Sequence, residues 1–118
     1  MTADYIKWVG GLAGGLNRGS LSNSSARTTA SISGHYGAFD VAGLVGLVEG
    51  APVSSSFAAG TISNNGDGPI TQSGALIGET DRQSGFDSSL TNSLFDTDTF
   101  GVGLPAIGQK YILSLIHI

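Results

Sequence analysis

The chain predicts an all-β fold, a parallel β-solenoid (β-helix) of about three 32-residue repeat units, and three observations carry that prediction. First, a leucine-and-glycine cluster recurs: Val9-Gly10-Gly11-Leu12-Ala13-Gly14, Val41-Ala42-Gly43-Leu44-Val45-Gly46 and Ser73-Gly74-Ala75-Leu76-Ile77-Gly78. Its leucines fall at 12, 44 and 76 and its closing glycines at 14, 46 and 78, a spacing of 32 each time. A fixed period of this size marks a repeat architecture in which each unit leans on its neighbours. Second, the remaining anchors are short, apolar or alternating, and bounded by Gly, Asn, Asp or Ser, the pattern of short strands between turns. Third, no window carries a helical stripe, and the 19 glycines among 118 residues sit where a helix needs better formers. An antiparallel sandwich shares the turns and short strands, but it has no reason to keep equivalent residues at a constant spacing.

The elements follow in order along each unit. Gly11-Leu12-Ala13-Gly14, Gly43-Leu44-Val45-Gly46 and Leu76-Ile77-Gly78 open the units, with Leu12, Leu44 and Leu76 as an inward ladder and the glycines at tight corners. The second anchor is Leu21-Ser22-Asn23-Ser24-Ser25-Ala26, answered by Val53-Ser54-Ser55-Ser56-Phe57-Ala58 and by Leu90-Thr91-Asn92-Ser93-Leu94-Phe95. Read as a continuous strand, it places Leu21, Asn23 and Ser25 on one face. Leu21, Val53 and Leu90 then form a second ladder, and Asn23 and Asn92 part of a polar one that Ser55 interrupts. The third copy is displaced by five residues, which fit a polar loop insertion at Glu79–Gly85. A third anchor closes two copies, Thr29-Ala30-Ser31-Ile32 and Gly60-Thr61-Ile62-Ser63. The solenoid domain is thus read over 1–103, with units near 9–40, 41–72 and 73–103, and a C-terminal tail over 104–118.

Composition bounds the function. The length suits at most one domain, and three units are near the minimum for a stable stack. A formal charge of −4 with five Lys or Arg leaves no basic footprint for nucleic acid and disfavours an anionic membrane surface. There is no cysteine, so disulfides and thiolate metal sites are excluded. Met1–Lys7 is not a signal peptide, and the run Val41–Val48 is too short to span a bilayer. Hydrophobic residues make up 40% and are periodic, which argues for order despite the many Ser, Thr, Asn and Gly. The ending Leu113-Ser114-Leu115-Ile116-His117-Ile118 breaks from what precedes it. It resembles the translation of a transposon-end adapter used in sequencing libraries. The expectation is a metagenomic fragment whose native sequence ends near Ile112 and whose Met1 is an internal start.

The repeated residues resemble the GLUG motif, found in tandem in large bacterial surface and secreted proteins, adhesin-like ones among them. Gly43-Leu44-Val45-Gly46 matches the motif's start and Gly11-Leu12-Ala13-Gly14 nearly so. Ser56-Phe57-Ala58-Ala59-Gly60 is similar to its second half, and Asn92-Ser93-Leu94-Phe95-Asp96-Thr97-Asp98-Thr99 to the ending of a last copy. Ala75-Leu76-Ile77-Gly78 and Ser25 depart from the pattern. The resemblance covers roughly 9–103. It implies a β-solenoid stalk on a secreted or cell-surface bacterial protein, and it transfers no catalytic residue and no cofactor.

Candidate chemistry is weighed against packing. Asp96 and Asp98 would share a side if they lay in a strand, as paired carboxylates for glycoside cleavage or calcium do, but a solvated turn accounts for them better. Asp81 and Asp87 are read as loop residues. Asn64-Asn65-Gly66-Asp67-Gly68 faintly resembles a calcium turn, yet it occurs once and is read as a plain turn. Gly10-Gly11-Leu12-Ala13-Gly14-Gly15 lacks the lysine of a phosphate loop. His35 with Asp40 and a serine has no Gly-x-Ser-x-Gly elbow behind it, and His35–Phe39 is read as a loop into the second unit. Asn23-Ser24-Ser25 fits the glycosylation pattern, although its recurrence as a repeat anchor is the simpler account. Trp8, with Tyr5 and Tyr36, is an aromatic that could stack on a sugar, and Trp8 is assigned the bland role of capping the first unit. The preferred reading is non-enzymatic: a structural or adhesive segment whose partners are its own neighbouring repeats and a host protein or glycan. The competing reading is a fragment of a carbohydrate-active β-helix enzyme.

Overall fold

The computed structural model describes residues 2–66, 68–81, 87–100 and 103–109, and over 2–7, 33–37, 39 and 109 it describes the backbone. Among the described residues the chain is all-β with one short helix. Its strands are β1 (Thr2–Gly10), β2 (Ala13–Asn17), β3 (Leu21–Ser22), β4 (Ser25–Ala42), β5 (Val45–Glu49), β6 (Pro52–Ser54), β7 (Phe57–Asn64), β8 (Ile70–Gly74), β9 (Ile77–Asp81), β10 (Ser89–Thr91), β11 (Leu94–Phe95) and β12 (Ile107–Gln109). The helix α1 (Thr97–Phe100) follows β11.

Every strand pair is parallel, and the strands sort into three sheets. The first runs β1-β4-β7-β11 with β8 also on β4, the second β10-β6-β3, and the third β12-β9-β5-β2. None of them closes on itself. The register follows the sequence repeat: Ala13 pairs with Val45 and Val45 with Ile77 in the third sheet, and Leu21 with Val53 in the second. Where the sequence spacing lengthens, the register absorbs it, and Val53 pairs with Leu90.

The three sheets share one core. Ala26 and Ala58 come from the first sheet, Val53 from the second, Val45, Val48 and Ile77 from the third, with Leu44 and Leu76 at the turns. Each of Leu44, Leu76 and Ile77 is buried, worth roughly 1.5–3 kcal/mol relative to exposure. A second, smaller core holds Val9, Ala30, Ile32, Ala38 and Val41, with Ile62 and Ile70 against it. It exists because β4 is long: its first half pairs with β7 through Ile32 and its second half with β8 from Ala38, and both halves contribute to this core.

Glycine sets the distance between the first and third sheets. Gly14, Gly46, Gly78 and Gly108 lie in successive strands of the third sheet. A Cβ on Gly46 would lie 2.8 Å from the backbone nitrogen of Val9 and 3.1 Å from the carbonyl oxygen of Asp40. One on Gly78 would lie 3.1 Å from the backbone nitrogen of Val41, and one on Gly108 2.7 Å from the Ser73 oxygen. Packed sheets ordinarily stand about 10 Å apart because side chains fill the gap. Here backbone meets backbone, which only glycine permits.

Several expectations change. Glu79, Thr80 and Asp81 are strand residues of β9 rather than loop, so the insertion begins later, and 82–86 lie outside the described residues. His35–Phe39 belongs to β4 rather than to a loop. The stretch Leu21–Ala26 is not one strand: it breaks at Asn23, which has φ 51°. The boundaries at 40/41 and 72/73 fall inside β4 and β8. The repeat also runs past 103, since Ile107 and Gln109 of β12 pair with Ile77 and Glu79. The stretch 113–118 lies outside the described residues.

Candidate functional site

Three features concentrate polar groups: the corners, the helix α1 and one buried acid. The corners come first because they answer the predicted polar ladder. Asn23, Ser55 and Asn92 all adopt a left-handed backbone, with φ 51°, 49° and 49°. Asn tolerates this conformation better than most side chains, so its recurrence at 23 and 92 is explained by backbone geometry. The hydrogen-bonded ladder sits one residue later. The hydroxyls of Ser24, Ser56 and Ser93 donate to the carbonyls of Ser22, Ser54 and Thr91 at 2.8, 2.8 and 2.9 Å. Each hydroxyl oxygen in the next strand layer also accepts: Ser24 N–H donates to Ser56 Oγ at 3.4 Å, and Ser56 N–H to Ser93 Oγ at 3.1 Å. The line satisfies backbone groups that a tight corner would otherwise leave unpaired. The signal for it was present, because serine recurs at 24, 56 and 93 in the same anchor that displayed the asparagines.

The leucine and valine positions separate by place. Leu44 and Leu76 are buried at 0% and 1% exposure, as is Val53. Leu12 was expected to stand inside with them and instead is 46% exposed. Its N–H donates to the Leu44 oxygen at 2.9 Å, so it keeps the ladder position. What differs is that β1, β2 and β3 lie at the outer edge of their sheets, and no further strand layer among the described residues covers them. Leu21 and Leu90 are half-buried against the main core for the same reason of position. Gly11 and Gly43 lie at the turns where Gly43 N–H donates to the Ala75 oxygen at 3.0 Å. A Cβ on either glycine would collide with the carbonyl of the next layer, Gly43 and Ala75 respectively.

Asp96 and Asp98 do not form a strand pair. Asp96 precedes α1, and its Oδ1 accepts the N–H of Asp98 at 2.9 Å while its carbonyl accepts the N–H of Phe100 at 3.1 Å. That is the work of a helix cap. It directs Phe100 toward Gly43 and Ala58, where the ring meets Phe95 edge-on at 6.4 Å between centroids. The Thr99 hydroxyl accepts the Gly60 N–H at 2.9 Å and ties the helix to β7. Asn64 acts locally, its Nδ2 donating to the Gly68 carbonyl at 2.6 Å, whereas Asn65 Nδ2 reaches across to β4 and donates to Ser31 Oγ at 2.6 Å. Asp67 lies outside the described residues.

Trp8 is 39% exposed, and its ring edge lies 3.5 Å from where a Cβ on Gly15 would stand. Tyr5, His35 and Tyr36 lie on β1 and β4, with side chains outside the described residues.

Asp40 was considered above only as a triad acid, and its surroundings are different. It sits on β4 between Trp8 of β1 and Gln72 of β8 in the register. It is 2% exposed, and its Oδ1 is buried without a hydrogen-bond partner. A Cβ on Gly78 would lie 3.0 Å from its own Cβ, so Asp40 rests directly on β9 where Glu79 follows. Burial, then the Glu79 charge and a hydrogen bond with its carboxyl, push the Asp40 pKa from 3.8 up to about 7. An acid in such a place favours its neutral form, because burial and a like charge both penalise ionisation. No sequence pattern announced this pairing, which joins residues 39 apart across two sheets.

Among the described residues no group of three or more His, Cys, Asp or Glu is placed to hold a metal ion, and no helix is long and apolar enough to cross a membrane. Comparison with protein-family models, with curated proteins and with solved structures returned no match.

Proposed function

We propose that the chain is a non-enzymatic structural or adhesive segment: about three coils of a β-solenoid in a GLUG-like array, on a large secreted or cell-surface bacterial protein. The observation that carries the reading is the register. Where β3 meets β6, β2 meets β5 and β5 meets β9, the parallel partner of a residue is the one 32 positions on, as for Leu21 and Val53 or Val45 and Ile77. A stack built this way gains length by adding units and stays rigid through continuous backbone ladders, which suits a stalk that holds loops away from a surface. Its contacts with a host protein or glycan would be spread along a longer array, so that a short piece binds weakly. Asp96 weighs against the carbohydrate-active alternative, since its carboxylate is engaged in capping α1.

Two measurements test the two halves of this proposal. Inserting three further copies of residues 41–72 should lengthen the molecule in small-angle scattering by about 14 Å, one strand spacing per copy. An unchanged length removes the solenoid. The intact array should bind an immobilised matrix protein or a glycan surface. Absence of binding removes adhesion and leaves the stalk as a spacer.

A further inference from the structure

We propose that Asp40 and Glu79 hold a single proton between them in the folded chain, a proton-binding site that clasps the first sheet to the third. Asp40 Oδ1 is buried with no donor, on a residue 2% exposed. Asp40 Cβ abuts the backbone at Gly78, which brings the Glu79 carboxyl to it from the neighbouring strand layer. The described residues placed against Asp40 are Trp8 on β1, Gly46 on β5, Gln72 on β8, and Gly78 and Glu79 on β9. Glu79 is the one charged group among them. Two ionised carboxylates in contact, one out of water, repel each other, whereas one proton turns repulsion into an O–H···O hydrogen bond.

The sign of the pH effect follows. Asp40 has a folded pKa of about 7, above its ordinary 3.8, so the folded chain binds more protons than the unfolded chain between those values. The stabilisation is complete below the ordinary value and is lost as pH rises through about 7. The folded-to-unfolded ratio should fall by up to about a thousandfold across that window.

The test is urea unfolding of the full chain from about pH 5 to about pH 9, with a carbon-13 carboxyl titration of the folded protein. The expected result is a midpoint that drops toward high pH, an Asp40 carboxyl that titrates near neutrality, and a Glu79→Gln variant in which that titration moves down. Asp40→Asn should unfold with a flat profile. An Asp40 carboxyl already ionised at about pH 5 overturns the proposal. So does an Asp40→Asn variant that keeps the wild-type slope. Should that variant fail to fold, the carboxyl titration of the wild-type chain decides alone. A third contrary result is a midpoint at high pH that calcium alone restores, which would make the site one for a metal cation.

Discussion

The middle strand layer and the first one carry the same motif and meet opposite fates. Gly43-Leu44-Val45-Gly46 lies between layers, and Leu44, Val45 and Gly46 are all buried. Gly11-Leu12-Ala13-Gly14 lies at a sheet edge, where Leu12 is nearly half exposed. Its glycine is looser too: a Cβ on Gly14 would find its nearest neighbour at 3.2 Å, the Trp8 oxygen, against 2.8 Å for Gly46. A residue in a stack of layers is therefore valued by how many layers cover it, and identity alone does not decide its contribution.

Matched substitutions break or sharpen that contrast. The largest effect is expected from Gly46→Ala, whose methyl would push into the Val9 and Gly14 backbone; we expect about 3 kcal/mol or outright unfolding, against less than about 1 kcal/mol for Gly14→Ala. Urea midpoints measure both, and equal losses would refute the contrast. Leu44→Ala should cost about 2–5 kcal/mol and Leu12→Ala under about 1 kcal/mol, because only the first leaves a closed cavity. Calorimetry of the two variants checks this. Ser56→Ala strands a corner N–H of Ser24 and should cost about 1–2 kcal/mol, while Ser24→Ala removes an exposed hydroxyl at under about 0.5 kcal/mol. The smallest effect has the opposite sign. Ser55 holds a left-handed backbone in the middle layer where its counterparts are asparagine, so Ser55→Gly should stabilise the chain by a few tenths to about 1 kcal/mol. A melting temperature that falls instead would mean the Ser55 side chain contributes more than its backbone strain costs.

Much of the fold was legible because a parallel stack writes its register into the spacing. Leu12, Leu44 and Leu76 declared the period, and Val53 and Leu90 showed where it lengthened. The fourth strand of the third sheet was legible as well: Ala106-Ile107-Gly108 echoes Leu76-Ile77-Gly78 at a spacing of 30. The extra length before Leu90 takes it out of the 32-residue period. The serine ladder was hidden for a different reason. Asn23 and Asn92 stand out in the sequence, whereas serine is too common to attract notice, although the hydroxyls make the hydrogen bonds. Asp96 and Asp98 read as a solvated turn, and the short helix that Asp96 caps was not legible, since one turn has no periodicity to reveal it.

By itself the sequence determined that strands recur and where they recur, since spacing and composition are local properties that survive without coordinates. Only the tertiary structure decided which copy is covered and which is edge, that Gly46 and Gly78 stand inside strands where two sheets meet rather than at corners, that both halves of β4 contribute to a second core, and that Asp40 meets Glu79. Those outcomes depend on which layers stack against which and how closely two sheets approach. Burial, and with it the protonation of a carboxyl, is a property of the neighbours rather than of the residue.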